Sequence, residues 1–594
     1  MPGTRGTRPL GTLSDDHPSD PREVTMHEAP HTPAAASHPA HAVGRRSLLA
    51  GSLALGAAGA LAVSGAPSAT AAVKPGRGLP GDPFTLGVAS GDPDHDGFVL
   101  WTRLAVDPHA EDGLGGMPSR AYQVEWQVAT DERFHRIVRR GTAQARPASA
   151  HSVHVELNGL PAGRDYWYRF RVGGHVSPAG RTRTAPHPFS LGGPLAMAFV
   201  SCSQYEHGLF TSYRRLAEDE PDLILHLGDY QYEYKKGDYT IPGGNVRDHE
   251  GPETVSLADY RHRYAQYKSD LDLQAAHSAA PWLVVFDDHE VENNWAGSVP
   301  EEGSDTPATA DFLKRRAAAF QAYYENMPLR RSSLPQGPGM QLYRRIRWGR
   351  LANFHMLDTR QFRDDQACGD GYKNCAAADD PSRTITGGAQ ERWLLEGFRR
   401  SAARWDVLGQ QVFFGQRDRD AGPLKVTSMD AWDGYTASRE RITRGWTDAK
   451  VRNAVVLTGD VHAHWAGDLK LDYSDPSAPA VGSELVCSSI TTGGDGADGD
   501  GTHPWFKNNP ALKFYSNQRG YVLTRIDRDQ MRADFKTVPT VRTPGAAATT
   551  KATYVIEDRV PGLKQTYLRP YTAPKGFART DLDRQTVETE TSQP

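Results

Sequence analysis

The sequence predicts an α/β protein in which a small antiparallel β-domain precedes a layered domain of β-sheets flanked by helices. Two observations support this prediction. Between residues 84 and about 184, apolar and polar residues alternate with a period of two in short runs separated by Gly, Pro and Asp turns, which is typical of an antiparallel sandwich. From residue 195 onward, apolar strands alternate with segments of helical spacing, as in sheets covered by helices.

The first 72 residues resemble an export signal with a long polar N-region. Arg45 and Arg46 precede an Ala/Gly/Leu-rich stretch at residues 47–63, and Ala-Thr-Ala at residues 69–71 offers a small-residue cleavage site. This order is typical of a twin-arginine signal, so we expect the twin-arginine export machinery as a partner and secretion as the destination. A stable membrane anchor is not predicted, because it would need about 20 strongly apolar residues; an uncleaved anchor or a disordered tail is the alternative.

The small β-domain is predicted over residues 80–186. Its strands are marked by the runs GFVLWTRL, YQVEWQVA, HSVHVEL and YWYRFRV, and the turn LPAG before the last run is typical of an immunoglobulin-like sandwich. A Gly/Pro-rich linker leads to the layered domain, predicted over residues 194–575. Its helices are expected in SLADYRHRYAQYKSDLDLQAAHSA, ATADFLKRRAAAFQAYYENMP and AQERWLLEGFRRSAARW. The charged, Thr-rich residues 580–594 are predicted to be a disordered tail.

The composition is that of a globular protein, with 38% hydrophobic residues, 24% charged residues and a formal net charge of -4. It has no basic signature that would favour nucleic-acid binding by phosphate neutralisation. Four cysteines are too few for a disulfide framework. Cys368 and Cys375 flank a Gly/Asn/Asp-rich loop and are predicted to form one short surface disulfide, with two free thiols as the alternative.

Five segments of the layered domain place metal-binding side chains directly after β-branched runs. Because sites in α/β sheets form beyond the carboxyl ends of strands, one pocket could collect these side chains. The sequence therefore predicts a multinuclear metal enzyme. The expected ligands are Cys202 in FVSCSQ, Asp229 and Tyr232 in LILHLGDYQY, Asp288 and His289 in LVVFDDHE, Asp358 in FHMLDTR, and Asp460 and His462 in VVLTGDVHAH.

Two of these side chains indicate which metal is bound. A tyrosine with an ordinary pKa of about 10 becomes a ligand near neutral pH only beside a strongly Lewis-acidic ion. A ferric ion meets this requirement for Tyr232, whereas calcium or magnesium does not. A thiolate at Cys202 likewise favours a transition metal. The alternatives are an inert buried thiol at Cys202 and an aromatic wall residue at Tyr232.

The adjacent carboxylates of Asp287 and Asp288 would repel each other unless cations neutralise at least one of them. His289, which follows them, is expected to be a metal ligand or to stabilise charge. Asn293 and Asn294 offer carbonyl oxygens that suit a hard ion such as calcium. Either asparagine could instead bond to its own loop.

Asp460, His462 and His464 alternate along the chain, so an extended backbone would direct all three to one side. Asp460 and His462 are therefore expected to be ligands, and His464 a ligand or a substrate contact. Arg360 and Arg363 follow the fourth segment and offer bidentate recognition of an anion. Ordinary ion pairs are the alternative for both arginines.

Several motifs follow one another along nearly the whole mature chain in an order typical of one family. They are FTLGVASGDPDHDGFVLWTRL, SCSQ, HLGDYQYEY, FDDHEVENNW, LDTRQFRDDQ, WDGY, TGDVHAHW, SSITTGG and RGY. The sequence resembles the PhoD-type alkaline phosphatases, a secreted branch of the calcineurin-like metallophosphoesterases that also includes enzymes described as phospholipase D. The resemblance implies an N-terminal immunoglobulin-like domain, a metallophosphatase β-sandwich, and a site with one Fe3+ and two Ca2+ ions.

The resemblance also implies roles for single residues. It places Cys202, Asp229 and Tyr232 at the ferric ion, with Asp229 as a bridge. Asp288 takes the place of the Asn in the superfamily motif Gly-Asn-His-Glu, and His289 that of the histidine that contacts the phosphoryl group. Asp460 and His462 fall in the late metal-binding motif. Ser-Cys-Ser replaces the superfamily's Asp-x-His, which argues against a plain di-zinc or di-manganese site.

The expected function is hydrolysis of phosphomonoesters, phosphodiesters or both, by a water or oxide that the metal ions activate. His289 and Arg360 are expected to stabilise charge on the phosphoryl group, and Arg363 and His464 to bind substrate. One alternative is a phospholipase D-like phosphodiesterase acting on choline phospholipids. A second is a non-catalytic cell-wall or glycan-binding protein.

Overall fold

The computed structural model describes residues 79–304 and 309–572. The predicted export signal and the predicted C-terminal tail lie outside these residues. In the described ranges the chain folds into 24 strands and six α-helices, which confirms the mixed α/β class. None of these helices combines the length and the apolar composition that crossing a bilayer requires.

The strands are β1 (Val88–Asp94), β2 (Gly97–Arg103), β3 (Tyr122–Ala129), β4 (Ile137–Ala145), β5 (Ser152–Leu157), β6 (Asp165–Val172), β7 (His175–Val176), β8 (Gly180–Arg183), β9 (Leu195–Val200), β10 (Leu223–His226), β11 (Trp282–Val284), β12 (Arg344–Trp348), β13 (Ala352–Met356), β14 (Tyr372–Lys373), β15 (Trp405–Gly409), β16 (Thr427–Ser428), β17 (Ala454–Thr458), β18 (His464–Lys470), β19 (Ala480–Val486), β20 (Leu512–Ser516), β21 (Gly520–Ile526), β22 (Gln530–Thr537), β23 (Thr549–Glu557) and β24 (Val560–Leu568). The α-helices are α1 (Thr211–Glu218), α2 (Leu257–Lys268), α3 (Leu271–Ala279), α4 (Thr309–Asn326), α5 (Gly387–Arg399) and α6 (Thr436–Asp448). Short 3-10 helices lie at Pro147–Ser149, Tyr205–His207, Arg331–Ser333, Ala376–Asp379, Trp432–Tyr435 and Pro504–Lys507.

Two large sheets carry the segments that were predicted to end in ligands. One sheet has the strand order β24-β23-β22-β21-β9-β10-β11-β1-β2-β5, and the other the order β12-β13-β15-β17-β19-β18-β20. β9, β10 and β11 are mutually parallel neighbours, as are β13, β15 and β17. Their fully buried side chains, such as Phe199 and Leu225 from one sheet and Phe354 and Val455 from the other, share one hydrophobic core. Burial of this apolar surface holds the two sheets together.

The N-terminal strands form two layers, and one of them is the end of the larger sheet. β1 pairs in parallel with β11 through Gly91 and Trp282, while β2 and β5 extend the sheet beyond it. β3, β4, β6, β7 and β8 form a separate antiparallel sheet. Phe98 and Leu100 of the first layer pack with Tyr168 and Phe170 of the second. The four predicted runs are strands, as expected. Burial alternates along β6, whereas β2 is buried along its whole length.

Local capping divides one predicted helical segment into two helices. Ser256 and Asp259 form a capping box at the start of α2, and Asp270 accepts hydrogen bonds from the backbone N–H groups of Asp272 and Leu273 to start α3. The third predicted helix ends earlier than its pattern suggested, because Trp405 begins the buried strand β15. Tertiary pairing here overrides helical spacing.

Candidate metal centre

The turns after β10 and β11 are held together by a buried carboxylate. Glu290 accepts hydrogen bonds from the backbone N–H groups of Asp229, Tyr230 and Asp287, at 3.0, 2.6 and 2.8 Å. Gly228 has a φ of +113°, and a Cβ there would lie 2.3 Å from the Cβ of Asp287. Only glycine permits both this conformation and this approach. The local sequence thus brings two acidic segments into contact.

Several candidate ligands adopt the left-handed backbone region. The residues are Cys202 (φ 60°), Asp229 (55°), Asn294 (47°), Asp460 (64°) and His462 (50°). For residues with a Cβ this conformation costs about 1–2 kcal/mol each. Such strain concentrates at functional sites, where the surrounding structure enforces it.

Three groups of donor atoms lie beyond the strand ends, and within each group the atoms are all within 4.8 Å of one another. Asp229 belongs to the first and second groups, and Asp288 to the second and third. The groups are Cys202, Asp229 and His462; Asp229, Asp288 and His289; and Asp287, Asp288 and Asp460. The shared carboxylates make this one continuous centre. It unites the ligands predicted from the sequence except Asp358, which lies outside it, and Tyr232 and Asn294, which lie beside it.

Tyr232 lies beside the first group of donor atoms, in contact with Asp229 and His462. Its hydroxyl donates to Asp229 Oδ2 at 3.0 Å and lies 3.3 Å from His462 Nε2. Thr492 Oγ1 donates to the same hydroxyl at 2.9 Å. Thr492 was missed in the sequence, because it lies 260 residues away and follows no ligand motif.

The donor set fits cations. Asp229 Oδ1, Asp287 Oδ2, Asp288 Oδ1 and His462 Nδ1 are buried, and the described part of the chain provides no hydrogen-bond partner for them. Burial raises the pKa of Asp229 well above its ordinary value, and the charge of Asp288 adds to the shift. Burial and the charge of Asp287 do the same for Asp460. Several carboxylates held together in this way are stable as anions only beside positive charge.

His289 is oriented by a carboxylate. Its Nδ1 lies 2.8 Å from Glu233 Oε2, and its ring lies 4.1 Å from the ring of Tyr232. Burial alone would lower its pKa, but the charges of Glu233, Asp288 and Asp229 outweigh this and raise the pKa well above the ordinary value. With Nδ1 bound, Nε2 is left for a metal ion or a substrate oxygen.

Both arginines form ion pairs with carboxylates of the protein, which was the alternative for them. Arg360 is fully buried; Nε binds Asp287 at 2.5 Å, and Nη1 binds Asp430 at 2.8 Å. Its Nη2 lies 3.5 Å from Asp288 and 3.8 Å from Asp460. Arg363 is also buried and binds Asp430 and the backbone oxygen of Thr359. The expected substrate contact of Arg363 is therefore not supported, since this guanidinium is engaged by protein groups.

His464 does not face the centre. Its Nδ1 accepts from the Ser488 backbone N–H at 3.0 Å, and its Nε2 lies 3.3 Å from the Lys536 backbone oxygen. The three side chains do not alternate on one side as expected, because the backbone is not extended here. The positive φ values of Asp460 and His462 turn the chain before β18 begins at His464.

The remaining predicted positions lie at the edge of the centre or outside it. The backbone N–H of Asn294 donates to Asp288 Oδ2 at 2.8 Å, and its Nδ2 donates to Asp370 at 2.6 Å. Asp358 does not join the donor groups, since its carboxylate accepts from Gln361 and from the backbone of Arg360. Asp430 was missed in the sequence, because it follows no long apolar strand.

Comparison with known proteins identifies the family. A family model described as "PhoD-like phosphatase" matches residues 197–535, and one described as "PhoD-like phosphatase, N-terminal domain" matches residues 69–186. The chain belongs to the PhoD-like phosphatase family. It is 50% identical over 485 residues to "Alkaline phosphatase D" of Bacillus subtilis (strain 168), covering 81% of this chain and 82% of that protein. A solved structure, "Structure of PhoD", is 47% identical with a TM-score of 0.80, covering 86% of this chain and 99% of that one.

These matches confirm the resemblance inferred from the motifs. The chain is a phosphatase, that is, a phosphoric ester hydrolase, and the donor groups give it the ligands of a metal-dependent enzyme. The predicted disulfide is also confirmed, since Cys368 is bonded to Cys375. Cys202 and Cys487 are free and buried.

Proposed function

We propose that this phosphatase hydrolyses phosphomonoesters, phosphodiesters or both outside the cytoplasm, at a centre of one Fe3+ and two Ca2+ ions. The observation that carries the proposal is the sharing of Asp229 and Asp288 among three donor groups. A carboxylate with two oxygens can bridge neighbouring cations and reduce their mutual repulsion. Three linked groups agree with three ions.

The ferric ion is assigned to Cys202, Asp229, Tyr232 and His462. Burial raises the pKa of Cys202 and of Tyr232 well above their ordinary values, and Asp229 raises both further. A thiolate and a phenolate in such a place require a strongly Lewis-acidic ion. The other proposed ligands offer only oxygen atoms, which suits calcium. They are the carboxylates of Asp287, Asp288 and Asp460 and the amide oxygen of Asn294.

When bound, the ions would supply Lewis acidity toward the phosphoryl oxygens and a nucleophile derived from water. His289, fixed by Glu233, would donate a proton in a hydrogen bond from Nε2 to a phosphoryl or leaving-group oxygen. Arg360 would neutralise the charges of Asp287 and Asp288 and orient their carboxylates. Only Nη2 would contact the phosphoryl group directly, since it lacks a hydrogen-bond partner among the described residues.

Three further assignments complete the proposal. The N-terminal layers would form an immunoglobulin-like domain, since short antiparallel strands pack face to face over one core. Residues 1–72 would act as a twin-arginine signal, so that the export machinery delivers a folded, secreted enzyme. His464 and Arg363 would support the centre rather than bind substrate, because protein groups already engage them.

The test combines metal analysis with a comparison of substrates. The protein is purified after native export, its iron and calcium are counted, and turnover of phenyl phosphate, bis-p-nitrophenyl phosphate and phosphatidylcholine is measured. Iron and calcium near one and two per chain, with turnover of the simple esters, would support the proposal. Preferential turnover of phosphatidylcholine would favour the phospholipase D-like alternative. Absence of any turnover by metal-loaded protein would favour the non-catalytic alternative.

A further inference from the structure

We propose that Tyr234 and Tyr239 form a subsite for the leaving group of the ester, and that this subsite favours leaving groups with a flat, apolar face. The inference rests on the proposed function, because it concerns the same metal centre. The two rings lie 5.7 Å apart in a T-shaped arrangement, and both side chains are half-buried. The ring of Tyr234 lies 5.4 Å from that of His289.

Polar side chains hydrogen-bond to the backbone of both tyrosines. The carbonyl oxygen of Tyr234 accepts from Arg263 Nη1 at 2.8 Å and lies 2.8 Å from His249 Nδ1. The carbonyl oxygen of Tyr239 accepts from Asn245 Nδ2 at 3.0 Å. Rings held in this way bind a ligand with little further loss of conformational entropy.

The exposed parts of the two rings are not used by the fold. In the ranges that the structure describes, neither hydroxyl has a hydrogen-bond partner, although each ring packs on a histidine: Tyr234 on His289, and Tyr239 on His207 at 4.4 Å. The two rings adjoin the metal centre through Tyr234, which lies against His289 and packs on Tyr239.

The chemistry of the loop favours an apolar leaving group over a charged one. Lys235 and Lys236 lie between the two tyrosines, but they pair with Asp238 and Asp248 at 3.2 and 2.7 Å. What remains to contact a leaving group is aromatic surface. Offset or edge-to-face contacts of a flat group with such rings contribute beyond the burial of apolar area.

The test compares kcat/KM for phenyl phosphate and glycerol 3-phosphate across variants, so that the intrinsic reactivities of the esters cancel. Tyr234→Ala and Tyr239→Ala are each expected to lower the phenyl-to-glycerol ratio about five-fold, mainly through KM of the phenyl ester. Tyr239→Phe should retain the ratio, since the ring face is kept. Tyr567→Ala is the control, because this tyrosine is 45% exposed on β24.

Metal content equal to that of the wild type shows that each variant keeps its centre. An unchanged ratio in both alanine variants would overturn the subsite. Phosphocholine is assayed in the same way. A larger loss of kcat/KM for phosphocholine than for phenyl phosphate in the alanine variants would also overturn the subsite, because the rings would then select a cation. A wild type that turns over none of these esters would overturn the proposed function itself, and the subsite with it.

Discussion

At the residue scale, the centre depends on carboxylates that serve two donor groups each. Asp229 and Asp288 stand between a sulfur- and phenol-containing end, at Cys202 and Tyr232, and an oxygen-rich end at Asp460. This change from a sulfur-containing to an all-oxygen set of ligands would suit the two kinds of metal ion proposed. The residue types at the strand ends made this change predictable from the sequence.

Asp229→Asn is the most direct test of the bridge. The amide keeps the size of the side chain but removes the charge that would hold two cations together. We expect loss of metal from more than one position and a fall in kcat beyond the roughly 10–100-fold typical of losing an outer-shell partner. Metal analysis and phosphatase assays of the purified variant measure both effects. Full metal content with normal turnover would show that the centre lies elsewhere.

Tyr232→Phe tests the identity of the metal. A phenolate bound to ferric iron absorbs visible light by charge transfer, which calcium and zinc sites do not do. We expect a coloured wild type, a bleached Tyr232→Phe variant and a smaller spectral change in Cys202→Ser. Thr492→Val should shift the band without abolishing it, because Thr492 Oγ1 donates to the Tyr232 hydroxyl. A colourless, iron-free wild type with full activity would contradict the ferric assignment and leave hydrolysis standing.

The contacts of single residues could not be predicted where their partners come from distant loops. Arg363 has the chemistry of an anion receptor, but Asp430, 67 residues later, already occupies its guanidinium. His464 follows two predicted ligands in the sequence, but Asp460 and His462 adopt left-handed backbone conformations that break the alternation before it. Residue type and spacing could not reveal either outcome, because both depend on tertiary contacts.

At the scale of elements, the strands that carry ligands were predictable and their neighbours were not. Each predicted motif follows a strand, namely β9, β10, β11, β13 or β17. These strands were predictable because β-branched residues are enriched in buried strands. That β1 would join β11 could not be predicted, since pairing between strands almost 200 residues apart leaves no local pattern. Asp270 is a residue type that favours the start of a helix, but the helical spacing of apolar residues continues across it. The break between α2 and α3 was therefore not predicted.

Gly228→Ala tests how the turns after β10 and β11 build the centre. The added Cβ would meet Asp287 Cβ at 2.3 Å, besides adopting a φ of +113°. Gly337→Ala is the matched control, because that glycine also has a positive φ (+61°) but nothing lies within 4 Å of its Cβ. We expect the control to lose only about 1–2 kcal/mol and to keep its metal. Gly228→Ala should lose metal and show a larger fall in Tm; equal effects in the two variants would refute the steric argument.

At the scale of the whole molecule, a continuous sheet links the N-terminal strands to the strands that carry the ligands. β1, β2 and β5 extend the sheet of β9, β10 and β11. The enzyme therefore reaches its final form only when the N-terminal layers and the metal-binding strands are folded together. Such a fold would suit the proposed twin-arginine route, which exports folded proteins.

Replacing Arg45 and Arg46 together by lysine tests that route. Lysine preserves the charge, so a pathway that reads charge alone would still export the variant, whereas the twin-arginine route reads the arginine pair. We expect phosphatase activity and protein to disappear from the medium and to accumulate inside the cell. Arg5→Lys with Arg8→Lys is the control, since it makes the same chemical change outside the pair. Full secretion of the Arg45/Arg46 variant, measured by immunoblot and activity in both fractions, would contradict the targeting assignment while leaving the metal centre untouched.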